Sequence, residues 1–311
     1  MAYSQEICRD YPGAFLFLVD QSRSMDKPFG IDANGKPVER ARVVADALNS
    51  TLEEIVNRCM RDEGVSNYFD VGIIGYGQGP RPQFCWEGGL KGQAMVPISE
   101  VSKNAKVETV ETETMVRGEI VKENTTVSRW LEPVAAESTP MNGALNLARA
   151  AIEDWIFRHP KSFPPIVINI TDGMANDVNS EEELLISARR LTSLKTTDGN
   201  VLLVNCHISD NSQMSVEFPW SAMELPDDSY AKLLFEMSSE MPDRYRSIIC
   251  EIFDRDLSMT PAIRGMAFNA DAMALVKLLD IGTRQAFVFS PNQSSSGSVG
   301  ESQLQATATS F

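Results

Sequence analysis

Short apolar runs and amphipathic stretches alternate along most of this chain. Residues 14–19 (AFLFLV) are continuously apolar, 69–76 (FDVGIIGY) nearly so, and 166–170 and 201–207 repeat the pattern. Runs this short, without strict alternation, suit strands buried on both faces, as in a parallel sheet. Between them the period changes. Ala41, Val44, Ala45, Leu48, Leu52, Ile55 and Val56 recur at helical spacing within 39–60, and Gly64 is placed to stop that helix. Ala144, Leu145, Ala148, Ala151, Ile152 and Trp155 mark a second helix over 141–157. Ser180 and Glu183 read as a capping box opening a third, through about residue 194. Helical stretches at 229–238, 243–256 and 271–279 accompany one more strand at 263–268. The fold class this predicts is α/β, a doubly wound, mostly parallel central sheet with helices on both faces.

Two regions break the rhythm. Residues 84–130 contain Gly88-Gly89, and over 106–116 Val and Thr alternate with Glu. That alternation predicts one or two antiparallel ribbons with a solvated face, a β-rich insertion on a single domain spanning 1–289. Residues 290–311 are rich in Ser, Gln and Thr with Glu301 as their one charge, and read as a flexible tail. A smaller signal, Asn34-Gly35, suits a tight hairpin.

Charge narrows the partners. With 43 acidic against 28 basic residues, the net charge of -15 repels phosphate backbones and anionic lipid heads. Neither nucleic acid nor a membrane surface is expected, whereas cations or basic partners are. The apolar runs are too short to span a bilayer. The five cysteines are scattered without a C-x-x-C pair, which excludes a zinc knuckle or thioredoxin-type motif. The first residues, MAYSQEICRDYPG, carry charge and a proline and do not read as an export signal, so the expected compartment is cytoplasmic.

The candidate chemistry sits at strand ends. Asp20-Gln21-Ser22-Arg23-Ser24 directly follows the first apolar run, Thr139 precedes the helix at 141, and Asp172 follows the run IVINIT. In open α/β sheets ligands bind beyond the carboxyl ends of strands. Three loops thus offer two carboxylates and three hydroxyls at one edge. Oxygen donors of this kind suit a hard cation, Mg²⁺ first, with Mn²⁺ or Ca²⁺ as alternatives, and the absence of His and Cys argues against zinc. Neutral hydroxyls leave such an ion's charge incompletely balanced and open to an anionic ligand.

On these residues the chain resembles the von Willebrand factor A family and its metal-ion-dependent adhesion site. Asp20, Ser22 and Ser24, then Thr139, then Asp172 fill the five positions of that motif without a substitution. The resemblance implies a Rossmann-like fold and direct metal contacts from the Ser and Thr hydroxyls. It implies carboxylates binding directly or through water, and a non-enzymatic interaction module whose cation captures an Asp or Glu of a partner protein. Small cytosolic bacterial members accompany kinases, phosphatases or AAA+ ATPases. The resemblance therefore implies a subunit or adaptor of a stress or defence assembly. The inserted ribbon, arriving just before Thr139, is expected to flank the metal face. Arg23 and Met25 project from the first loop as candidates for shaping partner choice, while Asp26, Asn176 and Asp177 read as surface turn residues, with a role supporting the metal ligands as the alternative.

The enzymatic alternative is a Mg²⁺-dependent phosphotransferase of haloacid dehalogenase type with Asp20 as nucleophile. That chemistry needs a second acid two residues on, and position 22 is Ser22, which does not shuttle a proton at neutral pH. His159 lies in a proline-rich, solvated loop. His207 ends a buried strand, near enough to the metal edge to be noted, with no G-x-S-x-G elbow beside it. Gly75, Gly77 and Gly79 follow neither phosphate-loop spacing.

Overall fold

The computed structural model describes residues 2–31, 35–116, 119–209, 215–257 and 260–287, with side chains at all of these except 110–123 and 282–287. The first apolar run forms strand β1 (Gly13–Asp20), every residue of which is buried. A 3₁₀ turn at Arg23–Asp26 leads into an antiparallel pair, β2 (Pro28–Ile31) and β3 (Pro37–Glu39), and then helix α1 (Arg40–Arg58). Asn34 lies outside the described residues. Gly64 does not stop α1, which ends at Cys59 as its cap. It shapes the turn between two-residue strands β4 (Met60–Arg61) and β5 (Gly64–Val65), where its φ is +107°.

Strand β6 (Phe69–Tyr76) is again wholly buried. The region expected to be one insertion is in fact of two kinds. Strands β7 (Gln83–Phe84) and β8 (Val96–Pro97) both pair antiparallel with β6 and so extend the main sheet, and helix α2 (Ile98–Lys103) follows. Only β9 (Lys106–Val116) and β10 (Glu119–Arg129) stand apart, as an antiparallel ribbon of eleven pairs. Trp130 and Leu131 anchor its base in the core on the α1 side, and Asn49 of α1 accepts from both of their backbone N–H groups.

The α/β rhythm resumes with α3 (Met141–Arg158), β11 (Ile166–Thr171), α4 (Glu181–Thr192) and β12 (Leu202–Ile208). The Ser180–Glu183 capping box does not form; Glu183 instead accepts from the backbone of Asn179, and a complete box occurs at Ser221 and Glu224. Strand β13 (Val216–Glu217), helices α5 (Ser229–Met237) and α6 (Arg246–Phe253), strand β14 (Met266–Ala270) and helix α7 (Ala272–Phe287) complete the described chain. The tail expected at 290–311 lies outside the described residues.

The parallel strands lie in the order β6-β1-β11-β12-β14, with antiparallel pieces at both edges. Alternate residues of β1 feed two cores. Phe15, Phe17 and Val19 pack with α1 and α7, whereas Leu16 and Leu18 pack with α3, α4 and α5. Helices on both faces are what leave no polar face on the central strands. One polar thread nonetheless crosses the sheet: Tyr76 donates to Asn169, Asn169 to Asn205, and Asn205 to Ser238, at 2.8, 3.0 and 3.0 Å. Each buried polar group in it has a partner, as burial demands.

In chain order the five parallel strands stack as 2-1-3-4-5, so connections diverge between β1 and β11. This is where such sheets open a crevice at the carboxyl ends of their strands.

Candidate metal site at the sheet switch point

Asp20 is the last residue of β1, and Thr171, the last of β11, lies beside it with Asp172 next in the chain. The Thr171 hydroxyl donates to Asp20 Oδ2 at 2.8 Å, and the backbone N–H of Ser22 donates to Asp20 Oδ1 at 2.8 Å. Ser22 Oγ and Ser24 Oγ lie 3.0 Å apart, and Ser24 Oγ donates to Asp172 Oδ1 at 2.5 Å. The other oxygen of Asp172 accepts from Arg40 Nη1 at 2.6 Å. Four of the five expected residues are therefore joined, directly or through one backbone bond, at the switch point.

Thr139 joins through its backbone. Its N–H donates to Asn176 Oδ1 at 3.0 Å, and its carbonyl accepts from the Asn176 N–H at 3.1 Å. Asp177 accepts from the backbone N–H groups of Asn142 and Gly143 at the start of α3, satisfying donors that a helix N-terminus leaves open. Asn176 and Asp177, read from sequence as plain turn residues, hold the Thr139 loop against the loop carrying Asp172. The first loop is laced in as well: Gln21 donates through its backbone to Tyr76 and accepts from Ala136. Gly77 permits this crossing. Its φ is +132°, and a Cβ there would come within 2.5 Å of the Gln21 backbone. Beside Thr139 an open cleft of about 400 Å³ runs between Pro80, Glu137 and Pro140.

Sequence reasoning missed two partners. Thr171 looked like the end of an apolar run. Arg40 lies unmarked within the helix expected over 39–60, and only the fold carries its guanidinium to Asp172, where its side chain is 8% exposed and that of Asp172 is wholly buried. Met25 corrects an expectation: it is fully buried in the α1 core and presents nothing to a partner.

Burial pushes the Asp20 carboxyl up to about 6, against the hydrogen bonds from Ser22 and Thr171 that favour its charge, and the neighbouring charge of Asp172 adds to the rise. His207 ends near this edge as anticipated, but packed: its ring stacks on Phe268 at 4.5 Å and meets the edge of Tyr230. Burial lowers its basicity to about 4, opposed by the charge of Asp172. His159 is half-buried, 4.8 Å from the Trp155 ring and 3.7 Å from Asp70.

The donor set fits a hard cation. Two ligands about 2.1 Å from an ion at right angles stand roughly 3.0 Å apart, the spacing of an octahedral edge. The Ser22 and Ser24 oxygens have that separation. Ser24 gives its proton to Asp172 and keeps lone pairs on oxygen. Among the described residues no three His, Cys, Asp or Glu side chains gather as a metal cluster, so a cation here would rely on hydroxyls. No described helix is long and apolar enough to cross a membrane.

No family model matches the chain, and no curated protein matches it by sequence. Solved structures do. The vWF domain of the type V pili tip protein Mfa5 from Porphyromonas gingivalis aligns over 92% of this chain and 98% of that one, at 10% identity and a TM-score of 0.44. Proximal thread matrix protein 1 from the mussel byssus aligns over 90% of this chain and 50% of its own, at 12% identity and 0.43. Three N-terminal domains of Mfa5 align over 53% of this chain, at 14% identity and 0.30, and the chain spans 20% of their length.

Proposed function

We propose that this protein is an interaction module that holds one divalent cation, Mg²⁺ by preference, and through it binds a carboxylate of a partner protein. The observation that carries the reading is the linked set of Ser22, Ser24 and Asp172 at the mouth of the switch point, with Asp20 bonded alongside. Ser22, Ser24 and Thr139 would offer hydroxyl oxygens, and Asp20 and Asp172 the negative charge. Bound there, the cation supplies a Lewis-acid centre with a coordination position left for an anionic oxygen. Asp20 supports the reading energetically. A carboxyl raised to about 6 is a buried charge that a cation would relieve.

Position 22, where phosphoryl transfer would need a second acid, does not supply one to Asp20. Residue 22 is a serine whose backbone N–H is what reaches the carboxylate, which suits binding and not phosphoryl transfer.

Isothermal titration with MgCl₂ tests the first half of the proposal, and capture of an Asp- or Glu-containing peptide array with Mg²⁺ or with EDTA tests the second. Wild type is expected to take up one Mg²⁺ and to retain acidic peptides only in its presence. Asp20→Ala, folded by circular dichroism, is expected to do neither. Wild-type protein that takes up no divalent cation would overturn the proposal.

A further inference from the structure

Among the described residues the carboxylate of Asp172 has two side-chain partners, and they differ in what they leave for a cation. Ser24 donates to Oδ1 at 2.5 Å and is compatible with one, because the hydroxyl spends its proton on Asp172 and not its lone pairs. Arg40 donates to Oδ2 at 2.6 Å and brings a full positive charge. That charge is poorly screened, with the side chain 8% exposed against a carboxylate that is wholly buried.

Arg40 stands, moreover, where its own helix disfavours it. It is the first residue of α1, at the positive end of the helix dipole, and the first turn holds no acidic residue. There it pairs with Asp172, 132 positions away in the chain. A backbone bond from its N–H to Lys27 ties the same residue to the end of the Ser22–Ser24 turn. Arg40 is thus tied by its backbone to the loop of Ser22 and Ser24 and by its side chain to Asp172.

We infer that Arg40 is the resident counter-ion of this site, competing with a divalent cation for Asp172 and thereby setting both affinity and selectivity. Without a cation it neutralises Asp172 and closes the loops on each other. A monovalent ion brings no more charge than the guanidinium already supplies, so it gains nothing by displacing it. A divalent ion does. The inference rests on the cation-binding reading above, and the experiment separates the two.

Full-chain wild type, Arg40→Gln and Arg40→Lys are titrated calorimetrically with MgCl₂, and their thermal unfolding is followed in EDTA. Arg40→Gln is expected to bind Mg²⁺ at least tenfold more tightly and to melt at a lower temperature without metal. Arg40→Lys, which keeps the charge, is expected to stay nearer wild type in affinity. A folded Arg40→Gln that binds Mg²⁺ no better than a wild type that does bind it overturns the role of Arg40 alone. No uptake by either protein overturns this inference together with the site. Should Arg40→Gln fail to fold, the wild type decides through its arginine side-chain NMR signals. Movement of the Arg40 guanidinium resonance as Mg²⁺ saturates supports displacement, and a resonance unmoved at saturation overturns it.

Discussion

Arg40 and Arg129 are equally buried, at 8% and 9% side-chain exposure, and each ties helix α1 to a distant part of the chain, but their surroundings differ. Arg129, at the end of β10, bridges Asp46 of α1 at 2.8 Å and Glu108 of β9 at 2.9 Å. Both of those carboxylates reach water, and each has a second cation: Arg42 on Asp46 and Lys106 on Glu108. Arg40 reaches a wholly buried carboxylate, Asp172, that also takes a hydroxyl of the candidate metal loop. The first is a clasp with spare partners, and its parts survive separation. The second is a desolvated pair, whose carboxylate has no second cation among the described residues. The two pairs are told apart by what the carboxylates keep when the arginine is gone.

The largest effect should follow from Asp172→Ala. It takes a wholly buried carboxylate away from the Arg40 guanidinium, and breaking a buried ion pair typically costs about 3–5 kcal/mol. Urea denaturation in EDTA measures it. A loss no larger than that of a truncation at Arg129 would break the contrast between the two sites.

Asp20 should respond in the opposite sense. Its carboxyl sits near 6 folded against about 3.8 unfolded, so its charge at neutral pH costs about 3 kcal/mol. Asp20→Asn removes that cost. The amide oxygen keeps the Ser22 N–H, the amide nitrogen donates to Thr171, and the Thr171 hydroxyl turns to the Gly173 carbonyl 2.9 Å away. Metal-free Asp20→Asn is expected to be more stable than wild type at pH 7 by up to about 3 kcal/mol, and to bind no Mg²⁺. A destabilised variant would remove the energetic support for a cation at this carboxylate.

The same two-way balance should appear in pH. Asp20 is raised, so its contribution is fully present below about pH 4 and is lost as pH climbs through 6. His207 is lowered to about 4 against about 6.5 unfolded, so its contribution is present above 6.5 and lost as pH falls toward 4. Over pH 4–6 the two slopes oppose each other. For these two groups, metal-free wild type should therefore be nearly flat in that window. Asp20→Asn, left with His207 alone, should lose about 3 kcal/mol on acidification from 6.5 to 4. Parallel curves for the two proteins in urea denaturation across that range would contradict the balance.

What was legible in the sequence follows the length of the signal. Strands β1, β6, β11 and β12 stood out because burial on both faces makes them continuously apolar, and α1 and α3 because long helices repeat their apolar face several times. The ribbon was legible at β9 because Val and Thr alternate with Glu along it. Strands β4, β5, β7 and β8 are two residues each, too short for any period, so the attachment of β7 and β8 to the main sheet was not foreseen. At the site, Asp20, Ser22, Ser24, Thr139 and Asp172 could be picked out because each follows or precedes a recognisable element. Arg40 and Thr171 could not. Their roles are made by partners more than a hundred residues away, and nothing in the local pattern distinguishes them from a helix start and a strand end.

The smallest effect, and the sharpest control, belongs to Arg129. Arg129→Ala leaves Asp46 with Arg42 and Glu108 with Lys106, so no carboxylate is stranded. The ribbon keeps its core anchors as well, since Trp130 and Leu131 still donate to Asn49. A partly exposed pair of this kind is worth about 1 kcal/mol or less. Global stability should fall by no more than that, while amide exchange at the base of β9 and β10 quickens as the local clasp opens. Mg²⁺ affinity should not change, because Arg129 is separated from Asp172 by the whole first turn and a half of α1, from Arg40 to Asp46. A shift in Mg²⁺ affinity as large as that expected for Arg40→Gln would mean that any cation lost from α1 frees the site. The specific competition between Arg40 and a metal for Asp172 would then give way to a general effect of charge.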